Sequence, residues 1–222
     1  MKAEWATQQA LKLDPNLAEA VLAQAELIMY AWTLYLFCRN EEAIIEHELA
    51  RKFDPFNPMI TAALGMLYSY TGRYEDAIRE AHNSFRIVKD FPVGHMGLGE
   101  TYLAMGEVDK ALEAHEKLAE TAPTWCWFLG YTYALTGHRD KAEVILKQLE
   151  NTEMSGWNAM GLSVIYGALG RFDETFKMIT YEPHHVWIPW VAVFPMWQPL
   201  HDDPRYEEFA KKLNLPKSVL VT

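Results

Sequence analysis

Two stretches of the chain repeat each other: "LGMLYSYTGRYEDAIREA" at residues 64–81 and "LGETYLAMGEVDKALEAH" at 98–115. Leu-Gly, Tyr, Gly and Ala fall in the same order and at the same spacing in both. The Gly of the Leu-Gly pair recurs at 65, 99 and 130, in steps of 34 and 31 residues. A second Gly recurs at 72, 106, 137 and 170, in steps of 34, 31 and 33. Tyr68, Tyr102, Tyr133 and Tyr166 each stand four residues before it, and Ala77, Ala111, Ala142 and Thr175 five after it. A fixed period of this size means stacked supersecondary units, since one unit cannot bury its apolar face alone. The local physics describes a helix-turn-helix. Leu64, Gly65 and Tyr68 share one helical face. Gly72 supplies the left-handed residue that ends the first helix. Ala77 is small where two helices cross, and Pro15, Pro55, Pro92 and Pro123 close units that Pro cannot continue.

Composition narrows the classes of function. Half of the 222 residues are hydrophobic and 23% are charged, a globular balance. The formal charge of −10, with no run of Lys and Arg, argues against nucleic acid as a partner. Cys38 and Cys126 stand in no metal or redox spacing and are expected to be small buried apolar residues. The opening "MKAEWATQQA" has no apolar signal core. The uncharged stretch 27–38 is too short to span a bilayer, and 186–200 is broken by Pro189, Pro195 and Pro199, so no membrane partner is expected of this segment.

Catalytic motifs are missing from the sequence. There is no phosphate-loop or nucleophile-elbow pattern. "GHMGLG" at 94–99 lies inside a repeat's first helix with no strand before it, which suits packing. His184, His185, His201, Asp202 and Asp203 have ligand chemistry but not the spacing of a closed metal site. His82 and His115 fall on second helices, where a solvated or hydrogen-bonded imidazole is expected. Glu100 and Glu113 could form an acid pair only if the fold brought them together. The chain is therefore expected to be no enzyme and to carry no cofactor or metal.

Leu64-Gly65-x2-Tyr68, Leu98-Gly99-x2-Tyr102 and Leu129-Gly130-x2-Tyr133, with Ala77, Ala111 and Ala142, resemble the tetratricopeptide repeat family. The departures are Thr61, His95 and Cys126 in the family's Trp slot, and Ala81, His115 and Leu146 in its Phe slot. The tail residues Phe194, Pro195, Trp197, Pro199, Leu200, Asp203, Pro204, Arg205, Tyr206 and Phe209 are similar to a C-terminal cap. That cap is found where such repeats are appended to bacterial winged-helix regulators, nucleotide cyclases or serine/threonine kinases. The resemblance implies an all-α, right-handed superhelical solenoid of about five hairpins with terminal capping helices. It is expected to form a single domain over 1–222: a half-repeat at 1–15, repeats at 16–55, 56–92, 93–123, 124–155 and 156–182, and a cap at 183–222. The half-repeat suggests a piece of a longer protein and leaves a helical face through which a homodimer could form.

In the family, first helices line a concave groove. The positions flanking each Leu-Gly pair then make Met59, Met66, Tyr70, Met96, Glu100, Leu103, Trp127, Tyr131, Trp157 and Met160 the expected groove, with Met29 and Tyr30 extending it. Met and aromatic side chains suit an adaptable protein-binding surface. The set lacks the Lys, Arg and Asn with which family members clamp acidic tails. The expected function is a non-catalytic, cytoplasmic interaction domain that binds an apolar or aromatic peptide or protein segment. The alternative is a sensor of a small apolar ligand. Trp187, Trp190 and Trp197 are expected to pack the cap against the last hairpin.

Overall fold

The structure is a computed structural model that describes residues 15–215, with side chains from residue 25. Eleven α-helices and three short 3-10 segments make up these residues, and no strand occurs among them. The helices pair into five antiparallel hairpins. The first joins α1 (Pro15–Leu36) to α2 (Asn40–Phe53), and the second joins α3 (Pro58–Tyr70) to α4 (Tyr74–Ile87). The third joins α5 (Pro92–Ala104) to α6 (Val108–Thr121), and the fourth joins α7 (Trp127–Leu135) to α8 (Arg139–Glu150). The fifth joins α9 (Gly156–Ala168) to α10 (Phe172–Ile179). Two 3-10 segments (Ile188–Ala192 and Pro195–Asp202) and α11 (Pro204–Lys212) follow. The expected half-repeat and the homodimer face assigned to it fall on residues 1–14, outside the described residues.

The repeated residues do the work their positions suggest. Gly72, Gly106, Gly137 and Gly170 all have φ between 75° and 81°, the left-handed region open to glycine. In each turn the next amide donates back to the carbonyl of the repeat Tyr: Arg73 to Tyr68, Glu107 to Tyr102 and His138 to Tyr133 at 2.8 Å, Arg171 to Tyr166 at 2.9 Å. This is the bond that closes a Schellman turn. Ala77, Ala111, Ala142 and Thr175 are buried at the helix crossings. Gly99 is required by close approach: a Cβ there would lie 2.1 Å from the His115 ring.

The first hairpin uses the same turn with a different residue. Arg39 donates to Leu34 at 2.8 Å, and Cys38 takes the left-handed position at φ 58°. Cys38 stands 34 residues before Gly72 and so occupies the turn-glycine slot. It is exposed, because a turn residue with positive φ points away from the helix packing, and Cys126, at the start of α7, is half-buried; neither is the buried residue expected.

Tyrosines tie neighbouring hairpins together. Tyr68 donates to Glu48 at 2.7 Å, Tyr133 to Glu116 at 3.3 Å, and Tyr166 to Glu150. Arg73, Lys110, Lys141 and Arg171 lie over the rings of Tyr68, Tyr102, Tyr133 and Tyr166 at 4.3–5.3 Å. First helices also pack on first helices, α3 on α5 and α7 on α9, and these form the inner wall.

Candidate functional site: the inner wall and its own tail

The wall is largely covered by the chain's C-terminal segment. Trp190 sits edge-on to Trp32 of α1 at 5.7 Å and stacks with Tyr35 at 6.5 Å. Phe194 lies 6.1 Å from Tyr35 and 5.4 Å from Tyr70 of α3. Trp187 meets Trp157 of α9 edge-on at 5.4 Å. Trp197 is buried and its indole N–H donates to Ser163 Oγ of α9 at 3.1 Å. Trp187 and Trp197 thus pack on the last hairpin as expected, whereas Trp190 reaches back to the first. The Pro-broken segment explains this reach: it cannot form a helix of its own and lies as 3-10 turns across the first helices of several hairpins.

One part of the wall stays open. A cavity of about 290 Å³ is lined by Tyr70, Tyr74, Glu100, Leu103, Ala104, Tyr131 and Leu135, with Pro195 and Met196 of the tail at its edge. Tyr70 Oη donates to Glu100 Oε2 at 2.7 Å. Among the described residues no Lys, Arg or His pairs with Glu100, and no group donates to Oε1. Burial pushes the Glu100 carboxyl up to about 7, with the Tyr70 bond pulling the other way. The same burial, and then the Glu100 charge, raises the hydroxyls of Tyr35, Tyr70 and Tyr131. A carboxylate, three phenols and an apolar rim can hold a polar or cationic group out of bulk water. They offer no nucleophile–base pair.

The ten residues expected to line a groove divide in three. Tyr70, Glu100, Leu103 and Tyr131 come together around the cavity. Met66, Met96, Trp127 and Met160 are buried core, because a first helix packs against a neighbouring first helix, its own partner and the second helix of the preceding hairpin. Met59 is exposed at the start of α3, and Trp157 is half-buried against Trp125, Trp127 and Trp187. Met29 and Tyr30 are exposed on α1. Tyr74, Tyr35, Phe194 and Pro195 were absent from the expectation. The uncharged, aromatic 186–200 stretch is the signal for Phe194 and Pro195; nothing in the sequence marks Tyr35 or Tyr74.

The other polar candidates have structural partners. His115 is fully buried, with Nδ1 2.6 Å from Thr132 Oγ1, and burial holds it down at about 4. His82 is exposed. His201 stacks on Tyr206 at 4.2 Å, and Asp203 caps α11 and binds Arg205. No cluster of three His, Cys, Asp or Glu set to hold a metal occurs among the described residues. No helix among them is long and apolar enough to cross a membrane.

Known proteins resemble this arrangement. Residues 95–124 match the family model of a tetratricopeptide repeat. A thermophilic TPR protein of Thermus thermophilus superposes with a TM-score of 0.59 at 22% identity, covering 90% of this chain and all of that one. A tetratricopeptide repeat protein of Parabacteroides merdae gives a TM-score of 0.46 at 18% identity, covering 90% of this chain and 83% of that one. In sequence, BBSome complex member BBS4 of Bos taurus is 24% identical over 79% of this chain. The chain spans 28% of that relative's length.

Proposed function

We propose, from the premise that the chain is a tetratricopeptide-repeat solenoid, that it is a non-catalytic interaction domain binding a peptide segment of another protein. The segment docks where the inner wall is left open by the tail. The observation that supports this is the cavity around Tyr70, Glu100, Leu103 and Tyr131. It is a concave site with an apolar lining and a single carboxylate, on a scaffold of the kind that serves protein binding. The same proposal places the domain in the cytoplasm, in a larger bacterial regulatory protein. The cavity's volume also favours a second reading, a small ligand held at the same place, since about 300 Å³ is the lower end of small-molecule sites.

Selection of a displayed random peptide library on the purified chain tests the first reading. The control is Ala104→Trp, which puts a bulky ring at the exposed rim of the cavity. Recurrent peptides that bind the wild type and fail on the folded rim variant support it. Peptides that bind both equally, or no recurrent peptide at all, would overturn it.

A further inference from the structure

We infer that the cavity is a receptor for one basic side chain, a lysine ammonium of the bound segment, held by Glu100 among the tyrosine rings. This deepens the peptide-binding proposal and rests on it. Glu100 is the charged residue of an otherwise uncharged α5, "PVGHMGLGETYLA", half-buried in the lining of the cavity. A carboxylate partly withdrawn from water is disfavoured in its charged form, and a partner relieves that. Tyr70 satisfies Oε2, and Oε1 is left without a donor among the described residues. A cation arriving from the cavity completes the pair.

The surroundings select the kind of cation. Tyr70, Tyr74 and Tyr131 line the cavity, and rings of this type favour a cation at their faces. With Oε2 occupied by the Tyr70 hydroxyl, the carboxylate cannot offer two free oxygens to a guanidinium fork. It suits the point charge of an ammonium on a slender apolar stem. Leu103, Leu135 and Met196 give that stem an apolar channel. The net charge of −10 draws a basic segment toward the chain from a distance.

Acidity adds a signature. Tyr35 on α1, Tyr70 on α3, Tyr74 on α4 and Tyr131 on α7 are the titratable groups around Glu100. The hydroxyls of Tyr35, Tyr70 and Tyr131 are raised, which leaves the Glu100 carboxyl as the group that changes charge near neutrality. Below about 7 it becomes neutral and loses its hold on a cation, so binding weakens from pH 8 to pH 6.

The test uses benzylammonium as probe and benzyl alcohol as its neutral counterpart, titrated at millimolar concentration and followed by amide NMR shifts. The wild type should bind the ammonium in a saturable way at pH 8, about tenfold or more tighter than the alcohol. Glu100→Gln keeps the shape and an acceptor for Tyr70, and should erase that preference. Leu103→Lys places an ammonium one turn along α5 and should block the probe by pairing with Glu100 internally. In the peptide selection, lysine should be enriched at one position on the wild type and lose its enrichment on Glu100→Gln. Recurrent peptides without that lysine, together with equal binding of ammonium and alcohol, would overturn the cation receptor and leave the peptide reading standing. Glu100-dependent binding of benzylammonium with no recurrent peptide would do the reverse and identify a free amine as the source.

Discussion

The inner wall has two halves with opposite chemistry. At its N-terminal end Trp32, Tyr35 and Tyr70 are covered by Trp190 and Phe194, a continuous stack of rings from three parts of the chain. On the next hairpin, α5 carries Glu100 facing a cavity. The filled half is what a core looks like when stability alone decides: apolar, aromatic and closed. The open half keeps a half-buried carboxylate that stability alone would not select. The contrast teaches that the tail acts as part of the core at one end and as the edge of a site at the other.

The largest expected effect comes from undoing the filled half. Phe194 is buried and meets rings on Tyr35, Tyr70, Trp187, Trp190 and Trp197. Phe194→Ala is expected to cost about 3–5 kcal/mol, from lost burial and the cavity left behind. Urea denaturation followed by far-UV dichroism reads the loss. A change below about 1 kcal/mol would mean that the tail rests on the wall without being part of the core.

The open half should respond in the opposite direction. The folded-state value of about 7 for Glu100 exceeds its ordinary 4.5. The stability lost to ionisation therefore grows as pH rises from about 4.5 to 7. Glu100→Gln should match the wild type near pH 4 and gain up to about 3 kcal/mol at pH 8. A gain that stays flat with pH would show that Glu100 is solvated, and the contrast between the halves would fail.

A smaller effect of reversed sign belongs to the filled half. His47 is fully buried, edge-on to Trp32 at 5.7 Å, with neither ring nitrogen bonded among the described residues. Burial holds it at about 4 against an ordinary 6.5. The unfolded chain takes up the proton first, so stability is lost as pH falls below 6.5, by about 2 kcal/mol at pH 5. His47→Leu should remove this acid dependence while stability at pH 7 holds or rises, and unfolding curves at pH 5 and 7 check it. The two halves then titrate against each other, one failing in acid and the other in base.

The hairpins were legible in the sequence because their signals are local. The Gly-φ turn, the Tyr four residues earlier and the small residue at the crossing all act within one unit. The wall's division into core and site was not. From Ile60 to Ser69 every residue of α3 is buried, so no polar stripe marks which face points inward. Met66, Met96, Trp127 and Met160 therefore look the same in sequence as groove residues would. Glu100 was visible as the charged break in an uncharged helix. The contact of Trp190 with Trp32 joins the two ends of the described chain, and no local pattern encodes it.

The smallest effect separates the two halves at the level of a turn. The filled half begins with a hairpin whose turn holds Cys38 at φ 58°, while the four later turns hold glycine in the same conformation. A side chain in the left-handed region costs about 1–2 kcal/mol. Glycine relieves that and returns part of it through the freedom of its unfolded state. Cys38→Gly should therefore stabilise by about 0.5–1 kcal/mol, and Gly72→Ala, with open space around its Cβ position, should destabilise by about as much. Paired urea midpoints measure both. Equal and opposite shifts would show that the five turns are one motif with a single strained copy. A loss on Cys38→Gly would mean that the thiol makes a contact at the first turn that its exposure does not reveal, and the filled half would then owe part of its stability to a residue outside the ring stack.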